Sequence, residues 1–324
     1  MSRMSHATRV HGGPDARGAV AHDFSTNANA CGPCPRTLAA VQAADAGRYP
    51  DGSHSALREA LARRHGVTPE RIVMAASASE FIFRCTGWAA RAGLGVVALP
   101  PHGYGDYAAA AHAWALAAEA GTAPGLAWAC EPSSPCGGRE ARWDALAAHQ
   151  GPVVLDRAYE PLRLAGAARA APDGWWQLWS PNKALGLTGV RGAYAVAPAG
   201  AQALAAALEA LAPSWLLGAH GVAMLADWCE PATQEWLAAS LATLRAWKRE
   251  QVALCESFGW TVLPGDANFF VARATVSAAQ HGQLRAHGVQ LRDCASFGLP
   301  GHVRLGVRPP DAQQALRRAW EAVA

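Results

Sequence analysis

Short apolar runs alternate with longer amphipathic stretches through the first two-thirds of the chain. Residues 72–75, 95–99, 126–130, 152–156, 175–180 and 192–196 have the length and near-continuous apolar character of strands buried on both faces. Helical spacing fills the gaps over 79–92, 105–117 and 141–149, and another helix is expected over 36–44. This alternation predicts an α/β fold with a largely parallel central sheet. Ligands of such sheets gather beyond the carboxyl ends of the strands, where loops vary without unfolding the core.

The texture changes near Pro198. Helices are expected over 199–211 and 214–228, and one long helix over 232–258. Short strands over 260–263, 268–272, 289–292 and 303–307 then alternate with helices over 277–287 and 311–323, which predicts a second, smaller α+β domain. The expected division is an amino-terminal arm over 1–35 associated with the small domain, a large domain over 36–210 and a small domain over 211–324. No repeat or low-complexity linker separates them, so close packing is expected.

The 324 residues are 51% hydrophobic and 16% charged, which suits a globular chain with a sizeable core and excludes disorder. A formal net charge of +3 and scattered basic residues give no case for nucleic acid. The opening MSRMSHATRVHGG lacks the apolar core of a signal peptide, and Glu, Arg, His or Pro interrupts each long apolar stretch. A cytoplasmic location without membrane spans is therefore expected. Eight dispersed cysteines suit free thiols. Cys31-Gly32-Pro33-Cys34 has the spacing of a thiol redox site, but no buried strand precedes it and no second cysteine pair accompanies it for zinc. A loop leading into a helix is expected there.

Of 28 Lys+Arg residues, two are lysines, Lys183 and Lys248. Lys248, within Trp247-Lys248-Arg249-Glu250, reads as a solvated charge on a helix. Lys183 stands after an apolar strand in WSPNKALGLTGVRGAY. A desolvated lysine can lose its proton and attack a carbonyl, which arginine cannot. Ser180 and Arg191 bracket this amine with a hydroxyl and a guanidinium that suit a phosphate monoester. Asp156 ends the strand PVVLD, where a buried acid needs a cationic partner such as a pyridinium nitrogen. Residues 76–79, Ala-Ser-Ala-Ser, open a helix whose backbone amides can hold phosphate. These features together point to pyridoxal 5′-phosphate (PLP) carried on Lys183 through a Schiff base.

In this order along almost the whole chain, the residues resemble the fold-type-I PLP enzymes of the histidinol-phosphate aminotransferase and threonine-phosphate decarboxylase branch. His11-Gly12-Gly13, DFSTNAN, RYPDGSHSALREALARRHG and LRDCASFGLPGHVRLGVR give a closer likeness to the threonine-phosphate decarboxylase of cobalamin biosynthesis. The resemblance implies that Asp156 pairs with the pyridinium nitrogen, Tyr104 stacks on the ring, and Tyr159 approaches its phenolic oxygen. It implies a phosphate site made by the amides of Ser77 and Ala78 with Ser180, Asn182 and Arg191. Tyr49 would complete the partner subunit's phosphate site, which implies a homodimer with shared active sites. Asn29 and Arg304 would contact a small amino acid phosphate substrate, Arg304 at its carboxylate, while Arg308 and His11 would serve its phosphate.

Three departures stand out. Ser134, in Glu131-Pro132-Ser133-Ser134-Pro135-Cys136-Gly137, replaces an asparagine that usually donates to the phenolic oxygen. Arg157 replaces an acid, and Ala76-Ser77-Ala78 replaces the usual Asn-Gly-Glu. The activity implied is decarboxylation of L-threonine phosphate to aminopropanol phosphate, with transamination of the histidinol-phosphate type as the alternative. A PLP-fold binding subunit without catalysis is a third possibility, which the retained Lys183, Asp156 and Arg191 oppose.

Overall fold

The computed structural model describes residues 11–324. Its centre is a seven-stranded sheet ordered Ile72–Ala75, Ala193–Val196, Trp175–Trp179, Val153–Asp156, Leu126–Cys130, Val96–Leu99 and Ala117–Ala120. Ala193–Val196 runs antiparallel to both neighbours, and the other pairings are parallel. The expected α/β class with a mostly parallel sheet is what the chain adopts. Burial on both faces is visible residue by residue: Ile72 and Met74 join one apolar core, and Val73 and Ala75 join another. Val154 likewise faces one side, while Val153 and Leu155 face the other.

Two sequence expectations need correction here. The helix expected over 105–117 stops at Ala113, and the chain turns through Ala115 at φ 55° into the edge strand Ala117–Ala120. Alanine suits either state, and all four strand residues are exposed, so no burial pattern distinguishes the strand in the sequence. The run expected as one strand over 289–292 is two. Val289–Gln290 pairs in parallel with His22–Asp23, whereas Arg292–Asp293 pairs antiparallel with His302–Gly306. The remaining expected elements are present with shifted ends. One of them, the helix expected over 214–228, begins only at Ala219, after Trp215 at φ 50°.

A four-stranded antiparallel sheet follows, in the order Arg292–Asp293, His302–Gly306, Phe269–Arg273 and Thr261–Val262. The helices Pro231–Ser257 and Pro310–Glu321 close its core through Leu254, Cys255, Ala312 and Leu316. The arm after His22 enters that same core: Phe24 is fully buried, accepts the amide of Gly306 at 2.8 Å and donates its own to Gln290 at 2.9 Å. No helix among the described residues is long and apolar enough to cross a membrane.

Strand directions explain why chemistry collects at one edge. Cys130, Asp156 and Leu178 are register partners at the carboxyl ends of three adjacent strands. Because Ala193–Val196 runs the opposite way, its amino end, with Arg191 and Gly192 just before it, lies at that same edge beside Ala75. The loops carrying Ser77, Ser134, Ser180, Lys183 and Arg191 therefore converge.

Candidate active site

These loops enclose a chamber of about 260 Å³, lined among others by Ser77, Ala78, Tyr104, Ser134, Asp156, Tyr159, Ser180, Asn182, Lys183 and Arg191. Lys183 Nζ donates to Ser180 Oγ at 3.1 Å and lies 5.7 Å from the centre of the Tyr159 ring. Burial pulls the amine below the usual lysine range, the nearby Asp156 carboxylate opposes that pull, and the Arg191 guanidinium adds to it. A lysine in this setting yields the neutral amine that carbonyl attack requires.

Asp156 ends its strand with almost no solvent exposure. Its Oδ2 accepts from the Tyr107 hydroxyl at 2.7 Å and its Oδ1 from the Ala158 amide at 2.8 Å. Burial pushes this carboxyl above its ordinary value, although Tyr107, Lys183 and Ala158 each favour the charged form. Tyr107 is placed by stacking on Trp128, with ring centres 5.1 Å apart. The Tyr107 hydroxyl acquires meaning only from its contact with Asp156 across two elements.

At the opposite end of the chamber, Ser77 caps the helix Ala78–Arg91 by accepting the Glu80 amide at 3.0 Å. Glu80 in turn accepts the Ala76 amide at 3.1 Å and pairs with Arg84 at 2.8 Å. These contacts fix the turn, and first-turn amides of a helix lack intrahelical acceptors, so Ala78 and its neighbours form an anion cradle. Arg191 and Ser180 line the same chamber. Asn182 is held by the carbonyls of Val190 and Thr188, and its buried Oδ1 has no protein partner. An acid, a neutralisable amine, an aromatic wall and an anion cradle fit an aromatic ring bearing a nitrogen, an aldehyde and a phosphate.

A smaller annex of about 180 Å³ shares His11, Tyr104, Ser134, Tyr159, Lys183 and Thr188 with the chamber and adds Asn27, Arg292, Phe297 and Arg304 among its walls. Arg304 is buried, donates to the Ser25 carbonyl at 2.9 Å and keeps a buried Nε without a protein acceptor. Arg292 is its register partner on the adjacent strand and donates to Ser296 Oγ at 2.7 Å. Burial lowers both guanidinium pKa values, and Arg304 lowers that of Arg292 further. The buried Nε of Arg304, left without a protein acceptor, suits a ligand that can accept a hydrogen bond.

Three sequence-predicted residues lie elsewhere. The Asn29 side chain is consumed by structural bonds, donating to the Ala184 carbonyl and Ser240 Oγ and accepting the Cys31 amide. Asn27 is the asparagine at the annex, and it donates to the Tyr159 hydroxyl at 3.2 Å. Arg308 does not share a pocket with Arg304. It lies beyond the end of the strand His302–Gly306, where period-two alternation no longer applies, and its guanidinium binds the carbonyl and hydroxyl of Thr26. The arginine that shares the annex with Arg304 is Arg292; cross-strand pairing, invisible in a single run of sequence, is what puts it there. Tyr49 is 78% exposed, stacked on the also exposed Trp215 at 4.5 Å, and lines neither the chamber nor the annex.

Lys248 also needs correction. It is partly buried, its Nζ caps the carbonyls of Gly265 and Ala267 at 2.6 and 2.8 Å, and burial pulls its pKa down to about 8. Cys34 is fully buried just before the helix Pro35–Gln42, and burial raises the Cys31 pKa, the opposite of what a reactive thiolate needs.

Fold and site together define a vitamin B6-type aminotransferase scaffold. Residues 110–323, well over half of the chain, match the family model "Aminotransferase class I and II", and the chain belongs to that family. It is a PLP-dependent enzyme. Histidinol-phosphate aminotransferase of Symbiobacterium thermophilum is 29% identical, with 93% of this chain and 91% of that one aligned. Among solved structures, the histidinol-phosphate aminotransferase of Sinorhizobium meliloti in complex with pyridoxal-5'-phosphate superposes with a TM-score of 0.80 at 18% identity, covering 100% of both chains. L-threonine-O-3-phosphate decarboxylase of Porphyromonas gingivalis gives 0.71 at 19% identity, covering 90% of this chain and 93% of that one. At such identities these two structures speak for the fold alone.

The Tyr107–Asp156 contact has a measurable signature. Because the folded pKa of Asp156 lies above its unfolded value, its contribution to stability is fully present below about pH 4 and is lost as pH rises through the folded value. Tyr107→Phe keeps the ring on Trp128 but removes the donor, which raises that folded value further. In denaturant unfolding of cofactor-free protein, the variant should lose about 1–3 kcal/mol near neutral pH and distinctly less near pH 4. An equal deficit at both pH values would assign the hydroxyl to packing alone.

Proposed function

We propose that this enzyme uses PLP to break a bond at the amine-bearing carbon of a small substrate that carries a phosphate group. The observation that carries this reading is the annex. Two register-paired arginines, Arg292 and Arg304, face a space that opens directly onto Lys183. PLP, when bound, supplies an electron sink for the pair left behind when such a bond breaks.

Lys183 would hold the cofactor and, once released, move a proton at Nζ, a task suited to an amine whose charge burial disfavours. Asp156 would keep the ring nitrogen protonated. Tyr104 would lie against the ring, with its hydroxyl within 3.1 Å of Ser79 Oγ. Tyr159, oriented by Asn27, and Ser134 would attend the phenolic oxygen. The amides of Ser77 and Ala78, with Ser180, Asn182 and Arg191, would hold the cofactor's phosphate. Arg304, Arg292 and His11 would orient the anionic substrate and so choose which bond stands perpendicular to the ring.

The curated relatives favour transamination of the histidinol-phosphate type as the activity, in preference to the decarboxylation that His11-Gly12-Gly13 and LRDCASFGLPGHVRLGVR suggest. Decarboxylation of L-threonine phosphate stays as a second reading on one observation. A substrate bearing both carboxylate and phosphate would occupy both arginines of the annex at once, whereas histidinol phosphate has no carboxylate.

Four tests check this reading. Borohydride treatment of the yellow holoenzyme should fix the cofactor on Lys183, and Lys183→Ala should lose both the adduct and the turnover; an adduct on Lys248 would overturn the assignment. Consumption of a 2-oxo acid with histidinol phosphate, set against carbon dioxide release from L-threonine phosphate, separates the two activities. In whichever assay responds, Arg292→Ala should raise KM by about 30–150-fold, consistent with a charge-assisted bond worth about 2–3 kcal/mol, and should leave little preference for phosphorylated over free substrate. Unchanged preference would dismiss Arg292 as a phosphate ligand. Finally, the exposed Tyr49–Trp215 pair supports a homodimer in which Tyr49 reaches the partner's phosphate site. Sedimentation should give a dimer, and a fully active monomer would refute shared sites.

A further inference from the structure

Beneath the chamber lies a buried ionic network that the proposed chemistry does not use. Glu131, Glu140, Glu160 and Asp266 face Arg142, Arg157, Arg163 and Arg169, four acids against four bases. Glu131 is at its centre with 0% exposure. Its Oε1 pairs with Arg163 at 3.3 Å, and its Oε2 pairs with Arg169 and accepts the Glu140 amide at 3.0 Å. Its own amide donates to the Asp156 carbonyl at 3.2 Å. Arg169 is backed by the Trp143 ring at 4.0 Å, and Arg163 continues the chain of contacts to Glu160 and Asp266.

The turn that begins at Glu131 carries Ser134 to the chamber wall. It is closed by the Ser133 amide on the Gly138 carbonyl at 2.7 Å and by the Gly137 amide on the Ser133 carbonyl at 2.6 Å. Gly137, at φ +74°, sits so close to Ala267 and Phe269 that a β-carbon would meet them at 3.2–3.3 Å. Its carbonyl accepts the amides of Asp266 and Ala267. The turn is thus held at its far end by backbone contacts with the segment 266–269, and at its near end by one buried carboxylate between two guanidiniums. Those guanidiniums come from the stretch that follows Asp156 and Tyr159. Breaking a buried pair by removing one charge is costly because the partners stay buried and uncompensated, so they move.

We propose that Glu131 is a positioning residue for Ser134: clamped by Arg163 and Arg169, it holds the Ser133–Gly138 turn so that the Ser134 hydroxyl stays against the cofactor's phenolic oxygen. This rests on the assignment of PLP and of Ser134 given above. A hydroxyl donating to that oxygen stabilises its anionic form, so it keeps low the pH at which the bound cofactor's visible band changes.

Spectrophotometric pH titration of the holoenzyme tests it without turnover. Ser134→Ala should raise the midpoint by about one pH unit. Glu131→Gln, which keeps shape and loses charge, should raise it by a similar amount, and the double variant should go no further than Ser134→Ala alone. Arg169→Met attacks the clamp from its more exposed side and should shift the midpoint in the same direction, which keeps the test open if Glu131→Gln fails to fold. A parental midpoint in both clamp variants, or additive shifts in the double variant, would overturn the proposal. So would a parental midpoint in Ser134→Ala. A normal visible band in that variant would leave the PLP assignment standing, whereas absence of the band from the unmodified protein would sink that assignment instead.

Discussion

Everything in the chamber is organised around two opposite charges that the sheet edge leaves short of water, Asp156 and Lys183. Burial drives both toward neutrality, the acid by raising its pKa and the amine by lowering it. Neither can escape by moving. Asp156 is locked in the ladder between Cys130 and Leu178 on the flanking strands. Lys183 lies in a tight turn, its own carbonyl accepting the amides of both Asn29 and Gly186. The polar neighbours, Tyr107 and the Ala158 amide for the acid and Ser180 for the amine, offset part of the cost. A ligand presenting a protonated ring nitrogen at one end and a carbonyl at the other relieves both groups at once. The site is thus built for PLP before any substrate contact is considered.

The annex is governed by a second desolvated set of like charges, and its placement depends on the arm. Arg304 and Arg292 belong to the antiparallel sheet, but Arg304 is steered by the Ser25 carbonyl, and Asn27 from the same segment orients Tyr159. Arg308, half-buried against Thr26, holds that segment through the carbonyl and hydroxyl of Thr26. The arm between His22 and Asn29 is therefore a shared wall: it touches the chamber through Tyr159 and the annex through Arg304. The arginine held by Thr26 and the arginine that lines the annex differ by four residues here, and the difference arises because the strand ends at Gly306.

What could be read from sequence follows from which interactions are local. Strands buried on both faces announce themselves as apolar runs, and Asp156, Ser180, Lys183 and Arg191 stand out because each lies within a few residues of such a run. Helix capping by Ser77 is equally local. Contacts between distant segments leave no such trace. Tyr107 meets Asp156 at a separation of 49 residues, and Arg292 meets Arg304 only through strand pairing. The edge strand Ala117–Ala120 was hidden for another reason: with every side chain exposed, it carries neither a period of two nor an apolar run. Glu131 stands in the sequence only as the first residue of the loop that carries Ser134, and its partners Arg163 and Arg169 lie 32 and 38 residues further on.

The scarcity of lysine carries one more step. The chain places arginine at every cationic site but two, and both lysines turn out to be desolvated amines. A guanidinium is planar, permanently charged and broad, so it serves the ionic network under the chamber and the arginine pair of the annex. Lys248 instead points a compact ammonium at two carbonyls, those of Gly265 and Ala267, just before the strand that carries Phe269. The helical position of Lys248 suggested a solvated charge; its environment shows a cap that closes the turn into that strand. The same compactness and the same readiness to lose a proton under burial are what Lys183 uses in the chamber. In this chain a lysine therefore marks a place where an amine's shape and titration matter, and charge alone is left to arginine.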